Sequence, residues 1–246
     1  MKPPLFDDRA RILRQQRAAR LDGDRFLHDR AFDDCLDRLA DVAVAFDTAV
    51  IIGGNDQRWH DRLAAIVPNV RNIGADVAPE SIDLCISIGD LESANDVQSA
   101  AFALRHTLRP GGLLLGAIVG GTSLPRLRNA MLAADRINGG ASPRLHPSID
   151  GPSLAALLLS VGFSEPVVDV DRVLVNYPTL DRLVGDLRAM GCTNVLDQRS
   201  RRAIGRRGLA AARAAFLEGA NHGVERFELL HFAAWAPETK MRQRVD

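Results

Sequence analysis

The chain has 246 residues, and its 31 basic and 31 acidic side chains give a formal net charge of zero. Zero net charge produces no overall field that would attract nucleic acid or an anionic membrane surface. Its longest apolar run is too short to span a bilayer, and the chain does not open on an apolar signal stretch. The three cysteines lack the close spacing of a disulfide framework or a thiolate zinc site. We therefore expect a cytoplasmic globular protein.

The N-terminal part of the chain predicts two helices followed by a strand. Apolar residues recur at helical spacing over 5–20 and 25–41, and Asp24 is placed to act as the N-cap of the second helix. The run 48–54 is uninterrupted in its apolar character and ends in glycines. Such a run is typical of a strand that is covered on both faces of a parallel sheet.

The middle of the chain predicts a βαβ crossover. Apolar strands over 82–88 and 113–119 flank an amphipathic helix over 95–108. Later helices are predicted over 123–137, 152–161, 180–190 and 200–217, and later strands over 167–175 and 224–235. No repeat or linker divides these elements, so we expect one α/β domain over 1–246.

Several motifs carry a resemblance to known proteins. The glycine-ended first strand, the Ile82-Asp-Leu strand and Arg109-Pro-Gly-Gly resemble class I S-adenosylmethionine-dependent methyltransferases. More specific motifs are similar to the methyltransferase-like assembly factors of respiratory complex I, a group related to malonyl-carrier-protein methyltransferases. These motifs are Gly116 to Arg128, Ser142-Pro143, Val175-Asn-Tyr-Pro178 and Asp186 to Gly191.

The resemblance implies a Rossmann-like three-layer sandwich. Its sheet would have seven mostly parallel strands, with an antiparallel last strand and N-terminal helices. Within the single domain, it implies a helical cap over 1–45, a cofactor-binding half over 46–120 and an acceptor-side half over 121–246.

The resemblance also places S-adenosylmethionine at a glycine-rich loop after the first strand, with an acid about 20 residues later on the ribose. The corresponding residues here are Gly53, Gly54, Asn55, Asp76 and Ser87. Asp76 matches either of two family acids. The alternative is structural: the two glycines form only a tight turn, and Asp76 is a surface cap.

The cofactor half also departs from the family pattern. Ile51 occupies the position of a family acid, and Gly89 to Asp96 lacks the His-Trp pair that related enzymes often carry beside the cofactor. The 30 positions from Gly53 to Asp83 are too few for two helices, two strands and four loops, which need roughly 48. We therefore predict that one helix–strand pair of the family is missing. Asn95 and Asp96 retain a family polar pair but also fit an ordinary helix N-cap, which we favour.

The motifs that match best lie on the acceptor side. Gly120 and Gly121 precede a helix, where their amides could bind an anion or a substrate carbonyl, or could form only a turn. Arg128 could pair with a carboxylate or lie on the surface. Asn176 and Tyr177 could orient an acceptor, or Tyr177 could be an ordinary buried tyrosine. No residue is assigned as catalytic.

Other chemistries lack support in the sequence. The six histidines show no metal-ligand spacing, and no serine or cysteine occupies a nucleophile elbow. The arginine-rich segment 199–213 has no interleaved aromatic residues, which favours a solvated helix face over contact with nucleic acid.

Three functions remain open at this point. The first is methyl transfer from S-adenosylmethionine to a protein or small-molecule acceptor, with a respiratory-complex subunit among the protein candidates. The second is a non-catalytic assembly factor or scaffold that kept the acceptor surface after losing the cofactor. The third, implied by the resemblance alone, is a hydroxylase-like variant.

Overall fold

The fold is built from one sheet with helices on both faces. A computed structural model describes residues 3–21, 23–53, 56–71, 77–219 and 222–238. The strands are β1 Thr48–Ile52, β2 Asn69–Arg71, β3 Ile82–Ile88, β4 Leu108–Val119, β5 Ser164–Asn176 and β6 Val224–Trp235. The helices are α1 Asp8–Ala18, α2 Phe26–Asp41, α3 Gln57–Ala64, α4 Val97–Thr107, α5 Pro125–Asn138, α6 Gly151–Ser160, α7 Leu180–Ala189 and α8 Gly205–Phe216, with a short 3₁₀ turn at Leu91–Ser93.

The strand order confirms the Rossmann-like class. The order is β2-β1-β3-β4-β6-β5, with the first four strands parallel. The last strand, β6, lies antiparallel between β4 and β5, as expected. The expectation of seven strands is wrong for the described residues, which form six. The chain between β1 and β3 is too short for more, and its described part forms one helix and one strand, α3 and β2.

Both faces of the sheet are covered by apolar packing. On one face, α2 and α3 meet the sheet through Phe32 and Trp59, whose rings stack with centroids 5.1 Å apart. On the other face, α4 and α6 contribute Leu104 and Leu158. This burial explains why the sequences of β1 and β3 are almost wholly apolar. None of the helices in the described part of the chain has the length and apolar character needed to cross a membrane.

The helix starts test two sequence predictions. Asp96 caps α4 by accepting a hydrogen bond from the Ser99 amide at 3.0 Å, which confirms the N-cap interpretation. Asp24 does not cap α2, because this helix starts after Arg25, whose side chain makes no capping bond. Asp29 in the first turn of α2 supplies the negative charge that the helix dipole favours there.

Gly116 lies at a close approach between β4 and its two neighbouring strands. A Cβ atom at this position would overlap the carbonyl oxygen of Ser87 on β3 and the ring of Phe232 on β6. Because Gly116 has no side chain, the ring of Phe232, its pairing partner on β6, has room beside β4.

We expect Gly116→Ala to destabilise the protein, because neither the Ser87 backbone nor the packed Phe232 ring has room to move. Overpacking of this kind costs about 1–3 kcal/mol. Gly185→Ala is the matched control, since a Cβ there meets nothing within 4 Å and lies inside α7. It should stabilise by roughly 0.5–1 kcal/mol. Thermal unfolding of both variants measures the contrast, and equal melting temperatures would contradict it.

Candidate active site

A cavity of about 270 Å³ opens at the carboxyl ends of β3 and β4. Its walls come from α2, α5, α7, the first half of β6 and the loops around 144–148 and 192–194. Most of its side chains are apolar: Leu27, Leu127, Met131, Leu145, Leu187, Met190, Phe227 and Leu229. Open α/β sheets bind ligands outside the carboxyl ends of their strands, which makes this cavity the candidate site.

Glu92 brings a carboxylate into the cavity. It lies in the 3₁₀ turn after β3, and its Oε2 accepts a hydrogen bond from the Val119 amide at the end of β4, at 2.9 Å. Burial raises the pKa of Glu92 to about 7; the bond from Val119 opposes this shift and the charge of Asp90 adds to it. The carboxyl group therefore changes its protonation state near neutral pH.

His28 and Cys192 form a second polar contact in the cavity wall. The Nε2 atom of His28 lies 3.6 Å from the Sγ atom of Cys192. Burial lowers the pKa of His28 to about 4, and the charge of Arg25 acts in the same direction. Burial also raises the pKa of the Cys192 thiol, and so does the charge of Glu92. At neutral pH both side chains are uncharged, so Cys192 lacks the thiolate that a nucleophile requires.

His146 connects the cavity to the N-terminal segment. Its Nε2 accepts a hydrogen bond from the Val195 amide at 3.1 Å, and its ring packs edge-on against Phe6. Burial lowers the pKa of His146 as well. Phe6 is fixed in turn by Asn95, which exchanges two hydrogen bonds with its backbone at 2.8 and 3.0 Å. The segment before α1 thereby braces one wall of the site.

Two arginines line the cavity, and they differ in their pairing. Arg144 is bound to the buried carboxylate of Asp135, with Nε 2.8 Å from Oδ1. Arg128 is exposed, and its side chain has no hydrogen-bond or ion-pair partner in the part of the chain that the structure describes. The Arg128 guanidinium is therefore free to meet an acidic group at this site.

The glycines predicted to bind an acceptor have structural partners. The Gly120 amide donates to the Glu228 carbonyl at 2.7 Å, and a Cβ on Gly120 would lie 2.7 Å from Glu228 Oε1. Gly120 lines the cavity and Gly121 is exposed beside it, outside the set of lining residues. Gly120 thus makes room for the side chain of Glu228, as in the tight-turn alternative.

The anion expected at the start of α5 is part of the protein itself. The amides of Arg126 and Leu127 donate to the carboxylate of Glu225 at 3.2 and 2.8 Å, and Glu225 is fully buried. Glu225 therefore occupies the first free amides of α5, and the expectation that the Gly121 amide receives a ligand stays a prediction. Two glutamates within a largely buried strand, at 225 and 228, were the available sequence signal for this arrangement.

Asn176 and Tyr177 lie behind the cavity wall. Asn176 is exposed at the end of β5. Tyr177 is buried against Phe227, with ring centroids 6.5 Å apart, and Phe227 is the residue that lines the cavity. Burial raises the pKa of the Tyr177 hydroxyl. Tyr177 is buried, as in the structural alternative, but its hydroxyl has no hydrogen-bond partner among the described residues, so its role at the site stays a prediction.

Of the residues predicted for the cofactor, the structure describes Gly53, just after β1, and Ser87, on the paired strand β3. Gly53 follows β1 with φ +93°, and a Cβ there would overlap the carbonyl oxygen of Ile88. Ser87 pairs with Ile52 across the sheet; it is fully buried, and its Oγ has no hydrogen-bond partner among the described residues. Gly54, Asn55 and Asp76 lie outside the described residues. No group of three metal-ligating side chains occurs in the described ranges.

Comparison with known proteins gives relatives that share part of their length with this chain. The chain is 33% identical over 191 residues to a malonyl-[acyl-carrier protein] O-methyltransferase of Xylella fastidiosa, covering 76% of this chain and 62% of that enzyme. It is 36% identical over 115 residues to the mitochondrial arginine-hydroxylase NDUFAF5 of Mus musculus, covering 46% of this chain and 34% of that protein. No protein-family model matches.

One solved structure supports the fold directly. The YcgJ protein of Bacillus subtilis aligns with a TM-score of 0.54 and 10% identity, covering 83% of this chain and 98% of that chain. At this identity the match concerns the fold alone. The sequence relatives confirm the resemblance to malonyl-carrier-protein methyltransferases and to the group that includes NDUFAF5.

The opposed pKa shifts of His28 and Glu92 predict opposite pH dependences of stability. The pKa of His28 is lowered from 6.5 to about 4, so its contribution is present above pH 6.5 and is lost as the pH falls towards 4. The pKa of Glu92 is raised from 4.5 to about 7, so its contribution is present below pH 4.5 and is lost as the pH rises towards 7. Between these limits the two effects oppose each other.

Single variants should separate the two effects. In Glu92→Gln the free energy of unfolding should decrease, relative to the parent protein, as the pH falls from 7 to 4.5. In His28→Gln it should decrease, relative to the parent protein, as the pH rises from 4 to 6.5. Each relative slope should approach about 1.4 kcal/mol per pH unit, the value for one proton. Denaturant unfolding across this range measures both slopes, and slopes of the same sign in the two variants would refute the assignment.

Proposed function

We propose that this chain, a relative of malonyl-[acyl-carrier protein] O-methyltransferases, transfers a methyl group from S-adenosylmethionine to an acceptor held in the cavity. The observation that carries the proposal is the position of the cavity at the carboxyl ends of β3 and β4. The strand order reverses between β1 and β3, and open α/β sheets bind cofactors outside such a switch point. The acceptor cavity and the cofactor edge are therefore neighbours.

The described residues at the switch point fit this cofactor in two respects. Gly53 brings its backbone close to Ile88 without a side chain, as a cofactor loop at this edge requires. Ser87, next to the last residue of β1 across the sheet, holds a buried hydroxyl without a partner among the described residues. Gly54, Asn55 and Asp76 complete the proposed cofactor set. When bound, S-adenosylmethionine supplies an electrophilic methyl group on a sulfonium.

The residues of the cavity would position the acceptor. Its apolar walls would exclude water from the reacting atoms and bind an apolar portion of the acceptor. Arg128 would pair with an acidic group of an acceptor protein or small molecule. The similarity to NDUFAF5 supports a protein acceptor, including a respiratory-complex subunit, and leaves the hydroxylase-like variant as an alternative.

A second function, a non-catalytic scaffold, is favoured by one specific observation. Ile51 takes the place of the family acid, and its side chain is buried in the apolar core beneath α2. An apolar residue there removes a charged anchor for the cofactor. A scaffold of this kind would bind a partner through the Arg128 side of the cavity. It would not bind S-adenosylmethionine.

Calorimetric titration with S-adenosylmethionine and S-adenosylhomocysteine distinguishes the two functions. Methyl transfer requires both compounds to bind, and ligand at about 100 times its dissociation constant should stabilise the fold by roughly 2.7 kcal/mol. Thermal unfolding provides the parallel readout, with adenosine as the control ligand. No binding and no stabilisation at millimolar ligand would reject the methyl-transfer proposal in favour of the scaffold.

We expect Asp76→Ala to raise the dissociation constant of S-adenosylhomocysteine at least tenfold. A hydrogen bond from ribose to a charged group contributes about 1.5–3 kcal/mol. The melting temperature of the unliganded protein should be unchanged. Asp41→Ala, at the exposed end of α2, is the matched control and should bind as the parent protein does. Equal affinities in the two variants would remove Asp76 from the site.

A further inference from the structure

We infer that the acceptor presents an uncharged N–H or O–H group on an apolar body, and that Glu92 accepts the proton of this group. This inference rests on the proposed methyl transfer and specifies the substrate class of the same cavity. It differs from a carboxylate acceptor, which carries no proton at its nucleophilic oxygen. The placement, the pairing and the electrostatic surroundings of Glu92 support it.

The Glu92 carboxylate is held by one oxygen and presents the other to the cavity side. Its Oε2 accepts the bond from Val119 at 2.9 Å, which fixes the group against the end of β4. A methyl group built on Gly89, which also lines the cavity, would lie 3.9 Å from Glu92 Oε1 and 3.5 Å from His28 Nε2. Oε1 and the imidazole therefore flank the same point of the cavity lining.

No described cation neutralises Glu92. His28 from α2 and Cys192 from the loop after α7 are uncharged at neutral pH, and Asp90 adds negative charge. Arg144 is already paired with Asp135. Arg128 is exposed and makes no ion pair with Glu92. An ionised Glu92 therefore presents an uncompensated negative charge in an apolar cavity.

This charge selects among acceptors. A carboxylate that entered the cavity would face Glu92 in a medium of low dielectric constant, where like charges repel strongly. A neutral alcohol, amide or amine would instead donate its proton to Oε1 in a charge-assisted hydrogen bond. Apolar walls accept the rest of such a molecule without loss of hydrogen bonds.

The reaction balances with Glu92 as the proton acceptor. A lone pair on the acceptor nitrogen or oxygen forms a bond to the methyl carbon of the sulfonium donor. The carbon–sulfur bond breaks and leaves its electron pair on sulfur, giving a neutral thioether. The N–H or O–H proton passes to Glu92, which becomes a carboxylic acid and later loses this proton to water.

Binding of three small probes to the cofactor-free protein tests the inference. The probes share one alkyl chain: hexan-1-ol, its methyl ether 1-methoxyhexane, and hexanoate. At pH 8, calorimetry on the parent protein should show hexan-1-ol binding at least tenfold more tightly than either other probe. The ether lacks the proton, and hexanoate carries the repelled charge. Hexanoate binding as tightly as hexan-1-ol, or no binding by any probe, would overturn the inference.

Glu92→Gln provides the second test. Glutamine keeps an oxygen for the Val119 amide, so the fold should persist, and thermal unfolding checks this directly. Hexanoate should bind at least tenfold more tightly to Glu92→Gln than to the parent protein. Glu165→Gln, at an exposed position of β5, is the matched control and should change nothing. An unchanged ratio of hexan-1-ol to hexanoate affinity in Glu92→Gln would also overturn the inference.

The two proposals fail in different ways. The probe experiment contains no S-adenosylmethionine, so a failure of cofactor binding does not alter its outcome. Conversely, if the probes bind without selectivity while S-adenosylmethionine still binds, the inferred class of acceptor is rejected and the proposed methyl transfer is not.

Discussion

Two buried glutamates on β6 hold the turn from β4 into α5, and the cavity depends on that turn. Glu225 accepts hydrogen bonds from the first free amides of α5. Glu228, beside Gly120, accepts a hydrogen bond from the Thr122 hydroxyl at 2.7 Å. Buried carboxylates are costly unless they are hydrogen-bonded, so the turn and the glutamates stabilise each other. This arrangement fixes α5 as one wall of the cavity. The amides of Arg126 and Leu127 at the start of α5 are already bonded to Glu225 and cannot bind a ligand.

Within these walls, burial sets the charge of the site. It keeps His28 and His146 neutral and brings the pKa of Glu92 close to neutrality. Glu92 then presents to the apolar cavity a carboxylate that can gain a proton, while the guanidinium of Arg128 lies exposed. A site of this kind suits an acceptor with an apolar body, a reacting N–H or O–H group and an acidic group elsewhere.

The sequence predicted much of the fold, because buried parallel strands have a strong local signature. The strands at 82–88 and 224–235 have the predicted bounds, and the short spacing after Gly53 anticipated the missing helix–strand pair. Strand β2 went unpredicted, because its three residues carry no apolar run. The cavity was not predictable by spacing, since His28, Glu92 and Cys192 meet only through tertiary packing. Of the predicted acceptor-side residues, Gly120 bonds to Glu228 through its amide and Tyr177 packs its ring on Phe227, so neither is a free group of the cavity wall.

The most direct test of the account is a crystal structure of the protein grown with S-adenosylhomocysteine. We predict that the nucleoside lies at the carboxyl ends of β1 and β3, and that the sulfur of the ligand faces the cavity that contains Glu92. Gly54, Asn55 and Asp76 should then be seen in contact with the ligand. A complex in which the ligand lies elsewhere on the protein, or in which the Glu92 cavity is separated from the sulfur by the sheet, would contradict the placement of donor and acceptor on one edge.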